Sequence, residues 1–138
     1  MYERVLAAVD HSEVSERVLA AARDLALLSK GEVWVLHLRE REVIGRMGLV
    51  PTESEDDAAL AVKSAADLLT KAGVTAHAVV RDTIFGHAAR EIIEDAHEHD
   101  IGVIVMGSRG RGDLTGLVLG STAHKVIHLA DRPVLVVR

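Results

Sequence analysis

The chain has 138 residues, 49% of them apolar and 27% charged, with a formal net charge of −5 at pH 7. That length suits one domain, able to bury roughly 70% of the surface its unfolded chain exposes. A single Trp, Tyr and Phe supply no base-stacking platform and the acidic balance opposes a duplex-binding surface, so no nucleic-acid partner is expected, while the zero cysteine count excludes a disulfide scaffold and thiol chemistry.

Apolar runs and helical periods alternate from end to end, the pattern of an α/β domain with a parallel sheet. Residues 2–9 read as the first strand. Asp10 or Ser12 is placed to cap a helix whose apolar positions Val14, Val18, Ala21, Leu25 and Leu28 recur at steps of four and three, with Gly31 ending it. Residues 32–38 form the second strand. The stretch 39–53 contains Gly45, Gly48, Pro51 and many charges without a clear period, which predicts a long mobile loop and the best candidate for a lid. Thr52 or Ser54, each with an acidic residue three positions on, can cap a second helix reaching Ala72 and facing inward through Ala61, Ala65, Leu68, Leu69 and Ala72 before Gly73. Residues 75–80 are the third strand, and Gly86 opens a third helix that buries Ala89, Ile92, Ile93 and Ala96. A fourth strand at 101–106, a fourth helix at 121–130 and a fifth strand at 133–137 complete one domain spanning 1–138 without internal repeats. No apolar run reaches membrane-spanning length and no basic-then-apolar leader precedes the first strand, so a soluble, cytoplasmic protein with no membrane contact is expected.

The chemistry concentrates where the fourth strand runs into Gly107-Ser108-Arg109-Gly110 and where Gly120-Ser121 stands ahead of the last helix. Glycines let a backbone approach a ligand closely, and the unpaired N–H groups of a helix start favour an anion. Gly107, Gly110, Gly120 and Ser121 are therefore the leading candidates for a phosphate site, with Arg109 and Arg111 as a local basic patch. No Gly-Lys-Ser/Thr follows the first glycines, and the dinucleotide Gly-x-Gly-x-x-Gly spacing is absent, so neither familiar phosphate fingerprint applies.

The spacing Gly-x2-Gly-x9-Gly-Ser resembles the nucleotide-binding signature of the universal stress protein family, in its ATP-binding subgroup. The opening Val5-Leu6-Ala7-Ala8-Val9-Asp10 with Ser12, the Leu36-His37-Leu38 strand end, the Val103-Ile104-Val105-Met106-Gly107 approach and the closing Arg132-Pro133-Val134-Leu135-Val136-Val137 look like the same family. The resemblance implies an open five-stranded parallel sheet in the order 3-2-1-4-5 with helices on both faces, Rossmann-like and of the adenine nucleotide alpha hydrolase-like type. It places ATP in a crevice at the carboxyl ends of strands one and four. By that resemblance Leu38 meets adenine through its backbone, Ala8 and Val9 line the adenine pocket, Met106 precedes the loop, and Gly120, Ser121 and Thr122 hold the β- and γ-phosphates. Asp10 lies near the nucleoside or helps to place Mg²⁺, an ion that prefers one or two carboxylates together with phosphate oxygens and waters. Two positions depart from the family pattern: Ala123 stands where ATP-binding relatives often carry a hydroxyl, with Thr122 able to compensate, and the bulky His11 follows Asp10 and is expected to point to water.

His124 with His128, and His97 with His99, lack a third ligand, so no structural zinc is expected there. The final apolar strand lies at a sheet edge in the implied order, which points to a homodimer, as the resemblance also does. Three functions stay open: a regulatory ATP-binding stress protein with little turnover, a slow ATPase or adenylate-transferring enzyme on the same site, and a nucleotide-free interaction module. The first leads, because the motif offers positioning groups and no evident catalyst.

Overall fold

The computed structural model describes residues 1–109 and 119–138. Along the chain these form β1 (Arg4–Val9), α1 (Val14–Ser29), β2 (Glu32–Val43), a 3₁₀ turn (Gly45–Met47), β3 (Leu49–Pro51), α2 (Glu55–Lys71), β4 (Thr75–Ile84), α3 (Ala88–Glu98), β5 (Val103–Gly107), α4 (Ser121–Leu129) and β6 (Val134–Val137). β1 is central. It pairs in parallel with β2, from Arg4 opposite Glu32 to Val9 opposite His37, and with β5, from Val5 opposite Val103 to Ala7 opposite Val105. β4 joins the outer side of β2 and β6 the outer side of β5, both in parallel. The parallel core thus runs β4-β2-β1-β5-β6, the order 3-2-1-4-5 of the five expected strands.

Alternation along the strands divides the core into two layers. Val5, Ala7, Val33, Val35, Val103 and Val105 pack against Val18, Ala22 and Ala26 of α1 and Val62, Ala65 and Leu69 of α2. Leu6, Trp34, Leu36, Ile104 and Met106 pack on the other face against Ala89, Ile92 and Ala96 of α3 and Ala123 and Val126 of α4. The alanines let the helices sit close to the sheet, while the β-branched strand residues fill the pleated surface.

Several boundaries differ from expectation. The stretch 39–53 is neither a mobile loop nor a lid: β2 continues to Val43, and β3 folds back on it antiparallel, with Arg41 opposite Pro51 and Val43 opposite Leu49. The sheet therefore has six strands among the described residues and is mixed. The alternation here is of charges, since the arm extends past the helical layers. Asp82 of β4 holds it in place, 3.3 Å from Arg39 and 2.8 Å from Arg41. Gly45 and Gly48, at φ +47° and +75°, supply the backbone reversal between the two strands.

The buried stripe of α1 runs through Val18, Ala22 and Ala26, leaving Leu28 84% exposed. In α2 it runs through Ala58, Val62, Ala65, Ala66 and Leu69, leaving Leu68 63% exposed. Ser54 caps α2 as expected, its hydroxyl accepting from the Asp57 N–H at 3.1 Å. Neither Asp10 nor Ser12 caps α1, whose N-cap position is Glu13. Nor does Gly31 end that helix, because Lys30 takes the left-handed turn at φ 56°. Gly31 is needed for another reason: a Cβ there would lie 2.2 Å from the Glu3 carbonyl oxygen, which accepts the Glu32 N–H at 2.7 Å.

Gly31→Ala is accordingly expected to lower stability by about 3 kcal/mol, because the obstructing atom belongs to the backbone and not to a flexible side chain. Gly73→Ala, at φ +88° with open space around it, should lose only about 1–2 kcal/mol to backbone strain. Denaturant titration of the two variants checks the order; equal losses would remove the close-approach explanation.

Candidate functional site

From β1 the chain crosses through α1 to β2 on one side, and from β5 it crosses through α4 to β6 on the other. Such a reversal leaves a gap beyond the carboxyl ends of the two central strands, the usual place for a ligand in an open α/β sheet. A crevice of about 650 Å³, counted with its open mouth, occupies that gap.

Its apolar part is built by Ala8, Leu36, Leu38, Ala88, Ile92 and Met106, and its polar part by Asp10, Ser15, Ser108, Arg109, Gly120 and Thr122. Of the residues singled out from sequence, Ala8, Val9, Asp10, Leu38, Met106, Gly107, Arg109, Gly120 and Thr122 all line this one crevice. Ser121 is the first residue of α4, beside Gly120 and Thr122, with an exposed side chain. Gly110 and Arg111 lie outside the described residues. Sequence reasoning missed Val14, Ser15, Leu36, Glu40, Ala88, Ile92 and Ser108. Leu36 and Glu40 had a usable signal, since they share the period-2 face of Leu38; Ala88 and Ile92 come from α3 and had none.

Two local devices shape the polar end. The first is the loop after β1. One oxygen of the Asp10 carboxylate, Oδ1, accepts from the Ser12 N–H at 2.8 Å, from the Ser12 hydroxyl, and from the Ser15 hydroxyl at 3.0 Å. These bonds turn the chain out of β1 and set the carboxylate's direction. The second is the start of α4. Gly120 is the N-cap and has no side chain to cap the helix. Its own N–H goes to the Ser108 carbonyl at 2.6 Å, and the first helical bond is His124 N–H to the Gly120 carbonyl at 2.9 Å. The amides of Ser121, Thr122 and Ala123 therefore have no acceptor within the helix, and the positive end of the helix dipole lies at the crevice. Ser108 is fixed in turn by donating its N–H to Val137 at 2.7 Å. Gly107 must be glycine for packing, as a Cβ there would stand 2.5 Å from Cγ1 of Val14.

His11 is solvent-exposed, as expected, with 41% of its side chain accessible, and it also meets protein partners. Its Nε2 lies 2.8 Å from Oε2 of Glu53, and its ring packs edge-on to that of His37 at 4.9 Å. Burial pushes the Glu53 carboxyl up, yet the hydrogen bonds with His11 and His37 outweigh it and leave the group below the usual carboxylate range. Glu40, on the crevice wall, moves the other way: burial pushes its carboxyl up and repulsion from Glu42 and Asp10 adds to that, against partial relief from His37.

An open α/β sheet with a crevice at its switch point defines a Rossmann-like domain. The chain belongs to the universal stress protein family: the profile of the Universal stress protein family matches residues 1–138. It is 33% identical to universal stress protein YxiE of Bacillus subtilis, covering 100% of both chains. It is 30% identical to a universal stress protein of Methanocaldococcus jannaschii, over 100% of this chain and 96% of the relative. Among solved structures, a universal stress protein from Archaeoglobus fulgidus superposes with a TM-score of 0.78 at 29% identity, covering 100% of both chains. A universal stress protein from the same organism in complex with dAMP superposes with a TM-score of 0.73 at 27% identity, over 100% of this chain and 98% of that one. Among the described residues, no helix is long and apolar enough to cross a membrane.

The raised Glu40 carboxyl gives a pH-dependent expectation. Its ionised form is penalised in the fold above the unfolded value of 4.5 and carries no penalty below it. Glu40→Gln should stabilise the domain at pH 7 by less than about 1 kcal/mol, since the group is partly solvated. The gain should vanish below the ordinary carboxylate range. Urea melts at neutral and acid pH test both halves, and an equal effect at the two values would refute the assignment.

Proposed function

We propose that this universal stress protein binds ATP with Mg²⁺ in the crevice between the ends of β1 and β5, and uses the nucleotide as a regulatory ligand in a cytoplasmic stress response. The observation that carries the reading is the start of α4, where three backbone amides and a helix dipole face a crevice whose opposite wall is apolar. A phosphate chain suits the first and a purine the second. The dAMP complex of the Archaeoglobus fulgidus protein supports an adenine nucleotide as the ligand class.

In this reading adenine lies against Ala8, Val9 and the backbone at Leu38, with Met106 beneath it. Gly107 and Arg109 follow the phosphates toward Gly120, Ser121 and Thr122, and the amide of Ala123 replaces the hydroxyl that its side chain lacks. Asp10, oriented by Ser12 and Ser15, is the carboxylate suited to Mg²⁺, which when bound would neutralise phosphate charge. A regulatory ligand is preferred to a substrate because these groups position and none of them activates a nucleophile.

Gly120 sits at φ −60° and ψ 155°, a conformation open to any residue, so Gly120→Val fills space beside the phosphates without straining the backbone. ATP affinity is expected to fall at least about tenfold, equivalent to roughly 1.4 kcal/mol, with helical circular dichroism unchanged. Calorimetric titration showing wild-type affinity in the folded variant would remove the phosphates from α4.

We infer further that β6 pairs two copies of the chain. It is an edge strand whose Leu135 is 40% exposed. Unpaired strand edges invite another chain, and a two-fold axis closes the contact. Leu135→Lys, which the monomer tolerates because the side chain already reaches solvent, should shift sedimentation from dimer toward monomer while ATP binding persists. A wild type that is monomeric at tens of micromolar would exclude this interface.

A further inference from the structure

Three side chains from separate parts of the chain converge on the sheet face opposite the nucleotide crevice. His37 stands on β2 between Leu36 and Leu38, so strand alternation turns it toward the α1 and α2 side. It is 3% exposed. Its Nδ1 lies 3.1 Å from the carbonyl oxygen of Val9, and its Nε2 meets Oε1 of Glu53. The other oxygen of Glu53 faces Nε2 of His11 at 2.8 Å. Glu53 is itself anchored, its backbone carbonyl accepting from Nε of Arg39 at 3.0 Å. The charge of Arg39 is met by Asp82 at 3.3 Å and Glu55 at 3.6 Å.

The polarity of these contacts carries the argument. A carbonyl oxygen only accepts, so Nδ1 of His37 bears a hydrogen and Nε2 of the neutral ring bears a lone pair. That lone pair is directed at a carboxylate oxygen, which is also an acceptor. A positive species between them joins the two. A ring proton does so in the hydrogen bond that lowers the Glu53 carboxyl. A metal ion does so with neutral imidazoles, and it serves His11 at the same time, because the ligand atoms of all three groups lie within 4.8 Å of one another. A histidine that donates its other nitrogen to a backbone carbonyl is the ordinary second-shell arrangement of a metal ligand.

We propose that His11, His37 and Glu53 form a binding site for a divalent transition-metal ion, best matched by Zn²⁺. Two imidazole nitrogens and one carboxylate are a three-ligand set that zinc accepts with a water in the fourth position. That position opens onto the groove lined by Asp57, Leu60, Ala61 and Ser64. Magnesium and calcium, which require oxygen ligands, do not suit two imidazoles. A tetrahedral site with zinc bonds of roughly 2.0–2.2 Å holds its ligand atoms about 3.4 Å apart, so the Glu53 oxygens must move slightly away from both imidazole nitrogens, an adjustment that the half-exposed His11 permits. A bound ion would tie the loop after β1 to β2 and to the approach to α2.

The test uses the full chain, stripped with a chelator and titrated calorimetrically with Zn²⁺. The stacked pair His124 and His128 on α4, with ring centroids 6.4 Å apart, is a competing surface site, so the His124→Gln/His128→Gln double variant is titrated as well. One equivalent of Zn²⁺ is expected to bind wild type and the double variant with a Kd of about 10 µM or tighter. His11→Gln and Glu53→Gln should each lose more than about 100-fold, beyond what a second-shell change causes. Co²⁺ should give the visible absorption of a tetrahedral site in wild type and not in those two variants. His37→Gln removes a buried group, so it is read only together with its circular dichroism; His11, at the surface, keeps the test decisive. Zn²⁺ binding weaker than about 100 µM, affinity unchanged in His11→Gln, or binding lost only in the double variant would each overturn the site and leave a proton-bridged ion-pair triad.

Discussion

The whole arrangement depends on β1 being paired in parallel on both sides, with β2 on one flank and β5 on the other. Parallel neighbours must be joined by crossovers, and crossovers are right-handed, so the helix leaving β1 and the helix leaving β5 pack on opposite faces of the sheet. Every core strand then ends at the same edge, and between β1 and β5 the departing chains part. The crevice is the space they vacate. It does not depend on a special side chain, which explains why its walls consist so largely of ordinary core residues such as Leu36, Ile92 and Met106.

Close approach of backbone is the second constraint. Gly31 brings the start of β2 against β1, and Gly107 brings the end of β5 against Val14 of α1. The two contacts lie at opposite ends of the sheet, and the second borders the crevice. Gly120 serves a different purpose. A Ser or Asp at that N-cap would stabilise α4 by only a few tenths of a kcal/mol more than glycine does, yet its oxygen would occupy the position an anion needs. The choice of residue sacrifices little stability and keeps three amides available.

The same strand edge presents unlike chemistry on its two faces. Toward α3 and α4, the alternate residues Leu36, Leu38 and Glu40 of β2 build the wall of the crevice. Toward α1 and α2, His37 and Arg39 meet Glu53. This second face depends on the extension of β2 beyond the helical layers: its charges are neutralised across strands by Asp82, and the antiparallel return of β3 leads Glu53 back over the sheet. A chain that ended β2 at Leu38 would have no frame for Glu53, and the two histidines would have no common partner.

Much was legible in the residue order because it depends on local periodicity. Runs such as Val33-Trp34-Val35 and Val103-Ile104-Val105-Met106 can only be buried strands, the helical steps between them set the α/β class, and the spacing from Gly107 to Ser121 marked the turn and helix start that border the crevice. Ser54 and Gly73 announced the ends of α2 by capping chemistry, which acts within a few residues. Partner choice lay beyond that reach. Leu28 matches a helical stripe as well as Ala22 and Ala26 do, and only the position of α1 on the sheet leaves it in solvent. Alternating Arg and Glu at 39–42 resemble a solvated loop until Asp82 and β3 provide cross-strand partners. His11, His37 and Glu53 carry no sequence motif, being separated by 42 and 16 positions in their pairings. Sequence by itself determined the five parallel strands, the four helices and the glycines that border the crevice, because backbone propensity and periodicity are local; the tertiary structure alone decided which faces meet, because burial and charge pairing join residues that only the completed sheet brings within reach.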